Sequence, residues 1–260
     1  YIMLIVMVVG YVGALSAGLS MIGMAEIIPM YLYTIASLLM LFFTFFKAGS
    51  VLFSMKGYEV LAALPVSKTA IVLSRFLSMY VTNLLAGLLV MIPGIAVYGY
   101  FVRPGITFYV LALLGTIFLP LLPLTIASVI GAGITAVSAG VKHKSLAETA
   151  IMLVVLVVVL GGSISFGETA EQMNMEEWKN IAEILSAQIS GIYPPALWFS
   201  KALSGSLGYL VLLLGAPMAV FTVFIAVLQK YFQSICTALN AVNAKNNYKM
   251  QKLHSSSKVV

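Results

Sequence analysis

The sequence contains little charge and few of the side chains on which enzyme chemistry depends. Only 8% of its 260 residues are charged, whereas soluble proteins carry about 25%, and 62% are hydrophobic. There is no aspartate, which excludes an aspartyl-phosphate or a paired-aspartate site in this chain. The single cysteine, Cys236, excludes an internal disulfide framework. A soluble globular domain is therefore excluded, and the composition predicts an integral membrane protein.

The common catalytic and metal-binding motifs are also missing. No G-x-x-x-x-G-K-[ST] P-loop occurs, so we do not expect this chain to hydrolyse ATP alone. Neither HExxH nor G-x-S-x-G occurs, and both histidines, His143 and His254, lie in basic segments. Glu176 and Glu177 have no partner histidine nearby, which favours a solvated helix face over a protease site. We predict a protein that is not an enzyme and that holds no metal or cofactor of its own.

Long apolar runs predict six membrane-spanning helices, since a helix needs about 20 residues to cross the hydrocarbon core. The runs are 1–24, 30–46, 72–100, 106–141, 147–166 and 207–228. The predicted fold class is therefore an all-α integral membrane protein. One transmembrane domain covers 1–228, and 229–260 form a cytoplasmic basic tail. That tail either connects to a second half or lies on anionic lipid as a free amphipathic end.

The distribution of charge predicts the orientation of these spans. Basic residues follow spans two, four and six, whereas Glu26, Arg103 and an acidic cluster at 168–183 lie on the other side. The positive-inside rule then places the basic regions and both chain ends in the cytoplasm, in a multi-pass protein of the plasma membrane. The net charge of +6 follows from this topology and indicates no nucleic-acid partner.

Two features of span four concern helix shape and packing. Pro120 and Pro123 each remove a backbone donor, which predicts a kink, and such breaks can line a substrate path. Small residues recur at intervals of four, which favours close packing inside the bundle, with a subunit interface as the alternative: Ala127, Gly131, Thr135 and Ala139.

The spans carry almost no ionisable groups, which argues against a proton-coupled pump and a channel with a charged filter.

The segment before span six predicts two short helices in the outer leaflet. Apolar residues recur at helical spacing from Met175 onward, at Trp178, Ala182, Leu185 and Ile189. Prolines 194 and 195 can open a second helix, and Tyr193 and Trp198 suit the headgroup level. These helices form either a surface cap or a gate.

The residues between spans two and three predict a short helix across the membrane surface, and we call residues 57–67 the coupling segment. Tyr58, Leu61 and Leu64 recur at intervals of three and share one stripe, whereas Glu59 lies on another face. Pro65 ends the helix, and Gly57 lets the chain bend into it. Because this segment joins two spans, it can transmit force from a soluble partner, although a loop held only by its own bundle is the alternative.

Three stretches of the sequence resemble ABC-2-type transporter permeases. Residues 56–67, KGYEVLAALPVS, resemble the cytoplasmic loop of these permeases, in which an acidic residue, leucines and an L-P-[IV]-S turn precede the third span. Residues 119–124, LPLLPL, resemble the fourth span of long bacterial members, and Tyr193-Pro194-Pro195 resembles their outer re-entrant segment. The resemblance implies the N-terminal six-span half of a long ABC exporter permease, with a second half fused downstream or supplied by a second copy.

The resemblance also implies a separate ABC ATPase subunit as a partner, and that subunit would bind ATP and Mg. That subunit would dock on the coupling segment, where Tyr58, Leu61 and Leu64 fill its cleft and Glu59 pairs with a basic residue. The mostly apolar spans favour export of a hydrophobic, peptide or drug-like substrate through the lipid bilayer. The alternative function is a facilitator, channel or assembly scaffold that ATP does not drive.

Overall fold

A computed structural model describes residues 2–52, 68–138 and 174–227, together with Lys230. Within these ranges every regular element is a helix and no strand occurs, in agreement with the all-α prediction. The helices, which include a short 3-10 turn at Ala25–Ile27, are α1 (Ile2–Met21), α2 (Ile28–Leu52), α3 (Lys68–Val102), α4 (Ile106–Phe118), α5 (Leu121–Ser138), α6 (Met175–Ile192), α7 (Pro194–Leu203) and α8 (Leu207–Val227).

Within the described ranges, four stretches of helix are long and apolar enough to cross a membrane: Ala25–Phe45, Leu73–Val102, Ile106–Ile130 and Leu207–Val227. They coincide with predicted spans two, three, four and six. In α1 the apolar stretch is shorter, Ile5–Met21. Predicted span five, 147–166, lies outside the described residues. Large apolar side chains cover the outside of the bundle, as expected for a membrane protein, and Met3 and Ile106 are 84% and 81% exposed.

The ends of the helices explain why the spans are separate elements. At the end of α1, Gly23 has a φ of +78°, its N–H donates to the Ser20 carbonyl at 3.1 Å, and the Met24 N–H donates to the Leu19 carbonyl at 2.9 Å. This is the Schellman arrangement, in which glycine adopts the left-handed conformation that ends a helix. At the end of α3, Arg103 adopts a φ of 50° and Pro104 follows, so the helix cannot continue.

The fourth predicted span is divided into α4 and α5, with Leu119 and Pro120 between them. The Leu124 N–H donates to the Pro120 carbonyl at 3.0 Å, so Pro123 lies in the first turn of α5. Backbone N–H groups in a first turn have no partner within the helix, and a proline there therefore costs no helical hydrogen bond. Both prolines are buried, and neither lines the two cavities described below.

The core is built around α2, which packs against α3, α5 and α7. Its largest fully buried side chains include Tyr33, Phe199, Leu32, Met91 and Leu213. Glycines of α3 allow α2 to approach closely, because a Cβ added at Gly87 or Gly94 would overlap side chains of α2. In α5, Ala127 of the predicted small-residue row is fully buried, as the intramolecular alternative expects.

Candidate functional site

The residues predicted to couple this chain to an ATPase lie outside the described residues: Gly57, Tyr58, Glu59, Leu61, Leu64 and Pro65. The structure does describe the two helices that flank them, since α2 ends at Leu52 and α3 begins at Lys68. These helices pack against each other, with Gly87 facing Met40 and Gly94 facing Leu32. A displacement of the coupling segment would therefore act on two helices that are already in contact.

A cavity of about 370 Å³, which we call the intramembrane cavity, lies between α1, α2 and α3. Most of its wall is apolar, with residues such as Val8, Leu39 and Phe43. Its polar part is formed by α2 and α3 together, because the Thr44 hydroxyl donates to Asn83 Oδ1 at 3.1 Å. The Asn83 amide nitrogen donates in turn to the Met79 carbonyl at 2.9 Å.

This pair leaves hydrogen-bonding capacity available in an apolar environment. An asparagine amide has two N–H donors and an oxygen with two lone pairs. The two bonds of Asn83 use one N–H and one lone pair, so one N–H and one lone pair remain available. Thr44 is only 2% exposed, whereas Asn83 is partly exposed. The cavity can therefore hold an apolar molecule and bind one neutral polar group of it. Neither residue was predicted from the sequence, although an amide in the middle of a membrane-length apolar run is a signal for function.

A second cavity, of about 470 Å³, lies at one end of the bundle, and we call it the polar cavity. It forms where three turns meet: the α1–α2 connection, the α3–α4 connection and the end of α7. Glu26, Gly105 and Lys201 line it from these three turns. The structure thus places Glu26, the turn after Arg103 and the end of the segment before α8 at the same end of the molecule, as the charge distribution predicted.

The two helices predicted before span six are present as α6 and α7. Asn174 caps α6 by accepting from the N–H groups of Glu176 and Glu177 at 3.0 Å, and the Glu177 carboxylate accepts from the Asn174 N–H at 2.8 Å. This reciprocal capping box fixes the start of the helix. Of the predicted apolar face, Ala182 is buried, but Leu185 is 40% exposed.

Tyr193, between α6 and α7, attaches this helix pair to α2. Its hydroxyl donates to Ser37 Oγ at 3.1 Å, and its ring lies 6.4 Å from the ring of Tyr33. Tyr33 also stacks on Phe199 of α7, with 4.7 Å between the ring centroids. Burial raises the pKa of the Tyr193 phenol to about 12, against a smaller opposite effect of the Ser37 hydrogen bond. The phenol therefore stays neutral and remains a donor at physiological pH.

A family model described as "Putative ATP-binding cassette" matches residues 1–259. Its description names an ATP-binding cassette and not a permease. No curated protein and no solved structure matches the chain.

Proposed function

The chain belongs to this family of ATP-binding-cassette proteins, and on that premise we propose that it is the membrane-spanning permease subunit of an ATP-driven transporter. The observation that carries the proposal is the combination of that family match with apolar, membrane-length helices and a sequence without a nucleotide-binding motif. In the part of the chain that the structure describes, four stretches of helix are long and apolar enough to cross a membrane. The full sequence of 260 residues contains no P-loop for nucleotide. ATP and Mg would then bind to a separate ABC ATPase subunit, and this chain would form the path of the substrate across the membrane.

The packing of α2 and α3 supports a route from ATP to the transport path. The coupling segment joins these two helices, and both of them line the intramembrane cavity, where Thr44 and Asn83 bond to each other. Closure of the ATPase on Tyr58, Leu61 and Leu64 would rock the two helices as a unit. The walls of the cavity would move with them, since α2 and α3 are rigid helices in close contact.

The intramembrane cavity favours an amphiphilic substrate. Its wall is mainly apolar, and its hydrogen-bonding groups are neutral, so a permanent charge would find no counterion among the described lining residues. We therefore propose export of hydrophobic, peptide or drug-like molecules, with both chain ends in the cytoplasm and a second six-span half completing the permease. In this orientation the polar cavity and the helices α6 and α7 face outward.

Substitution of Leu61 by aspartate tests the coupling. The change puts a charge on the stripe that would enter the partner cleft, and burial of an unpaired charge is strongly unfavourable. We expect a tagged Leu61→Asp chain, purified from its native membrane, to lose the proteins that carry a P-loop and the ATP turnover that accompanies the wild-type chain. Mass spectrometry and an ATPase assay measure both.

The matched control is Ala63→Asp, which adds the same charge to the same segment but away from the stripe. It should keep the complex. A Leu61→Asp chain that retains the ATPase and its turnover would contradict docking at the coupling segment.

Substitution of Asn83 by leucine tests the intramembrane cavity as the substrate site. Leucine removes the hydrogen-bonding amide but keeps a side chain of similar size, and Thr44 can donate to a backbone carbonyl of its own helix instead. We expect the affinity for a fluorescent long-chain alcohol to fall about fivefold, which corresponds to the net free energy of one hydrogen bond. The affinity for the matching alkane should not change. Equal effects on alcohol and alkane would show that Asn83 does not bind the polar group.

A further inference from the structure

The polar cavity carries two opposite charges on walls that are distant in sequence. Glu26 comes from the 3-10 turn before α2, and Lys201 from the last turn of α7. Neither side chain forms an ion pair with another described residue. The two charges therefore line a cavity of about 470 Å³ without neutralising each other, and we propose that this cavity binds a zwitterion, the headgroup of a phosphatidylethanolamine-type lipid.

The carboxylate side of the cavity suits an ammonium group. Glu26 lines this cavity together with Tyr98, and Tyr98 stacks on Phe108 with 4.8 Å between the ring centroids and 16° between the ring planes. All three residues line the cavity. A carboxylate beside aromatic rings is an arrangement that binds ammonium ions, because the rings add a cation–π attraction to the charge interaction.

The other side suits an anionic phosphate. The Lys201 ammonium is accompanied by residues of the first turn of α4, where Gly105 is the N-cap and provides no side-chain cap. The first N–H groups of a helix attract anions, and Gly105 and Thr107 at the start of α4 line the same cavity as Lys201. Ser200 and Thr107 add hydroxyl groups to the wall.

The position of the cavity favours a lipid over a free solute as the source of the zwitterion. It opens at the end of helices whose outer faces are apolar. Ile106, beside the lining residues Gly105 and Thr107, is 81% exposed, and Leu207, just after Gly205, is 76% exposed. A lipid with its headgroup in the cavity could lay its acyl chains along α4 and α8. This site does not depend on the proposed transport, and a failure of ATP coupling would leave it unaffected.

Native mass spectrometry of the full chain tests the site by counting retained lipid. The protein is released from nanodiscs that contain phosphatidylethanolamine or phosphatidylglycerol, which has the phosphate but no ammonium. We expect retention of phosphatidylethanolamine over phosphatidylglycerol. Glu26→Gln and Lys201→Gln should each weaken phosphatidylethanolamine binding about fivefold. Glu26→Gln alone should strengthen phosphatidylglycerol binding, because it removes a like charge from the site.

The controls are Glu183→Gln and Lys179→Gln, which remove the same charges from α6 outside the cavity. All four side chains are exposed, so the cavity is what distinguishes the tests from the controls. They should leave lipid retention unchanged. Soluble glycerophosphoethanolamine identifies the source of the ligand: displacement of the lipid shows that the headgroup suffices, and failure to displace shows that the acyl chains are required. Lipid retention that is unchanged in both Glu26→Gln and Lys201→Gln, or equally changed in the two controls, would overturn the proposal.

Discussion

Replacement of Gly115 by valine is expected to separate α7 from α4 and to leave little folded protein. A Cβ at Gly115 would lie 2.5 and 2.6 Å from two ring atoms of Phe199 and 3.4 Å from Cδ2 of Leu213. The ring cannot retreat, because Phe199 is fully buried and stacks on Tyr33 at 4.7 Å. Overpacking of a tight core typically costs about 1–3 kcal/mol, and we expect valine to reach the upper end. Thermal unfolding and size-exclusion chromatography in detergent measure the loss.

A comparison with a second glycine separates crowding from the general effect of substituting a helical glycine. Gly215 of α8 has no atom within 4 Å of its added Cβ, so Gly215→Val should be tolerated. A second change can also relieve the clash. Gly115→Ala combined with Phe199→Leu should be more stable than Gly115→Ala alone, because the smaller side chain frees the space that the methyl group needs. A Gly115→Val protein as stable as the wild type would contradict this prediction. It would show that Phe199 can move away from α4 without loss of the fold.

Truncation of Phe199 to alanine is the opposite change at the same contact, and its expected effect is similarly large. The substitution removes a ring that contacts Tyr33 and the backbone of α4 at Gly115. Fully buried Phe→Ala changes typically cost about 3–5 kcal/mol, because a cavity remains and packing contacts are lost. Helices inside a bilayer are held together mainly by such contacts, so we expect α7 to detach from α2.

The control for Phe199→Ala is Phe101→Ala, since Phe101 is 42% exposed at the end of α3. Thermal unfolding in the same detergent should show a large loss for Phe199→Ala and a small one for Phe101→Ala. Similar losses for both would mean that Phe199 contributes only general hydrophobicity and does not hold α7 in place.

The helices could be predicted from the sequence because each one is encoded locally. Hydropathy predicts spans at 30–46 and 207–228, which overlap the apolar helices Ala25–Phe45 and Leu207–Val227. The capping residues Asn174 and Glu177 mark the start of α6. The coupling segment remains a prediction from its motif, as it lies outside the described residues.

The two cavities could not be predicted in the same way, because each depends on which helix faces which. Thr44 and Asn83 are 39 residues apart, and nothing in either local sequence indicates that the two side chains meet. Likewise, charge patterning grouped Glu26 with the turn after Arg103, but the position of Lys201 in the same cavity follows from the docking of α7 beside α2. Helical periodicity identifies the apolar face of a helix and does not identify its neighbour.

The hydrogen bond between Tyr193 and Ser37 also sets an order for the biosynthesis of the protein. The two residues are 156 positions apart, and at ribosomal speed that interval lasts on the order of 10 s. During this time Tyr33 and Ser37 of the nascent α2 lack their later neighbours and must face lipid or a membrane insertase. The Ser37 hydroxyl can bond temporarily to a carbonyl of its own helix. A nascent chain stopped before Tyr193 therefore lacks the partner that the Ser37 hydroxyl has in the folded protein.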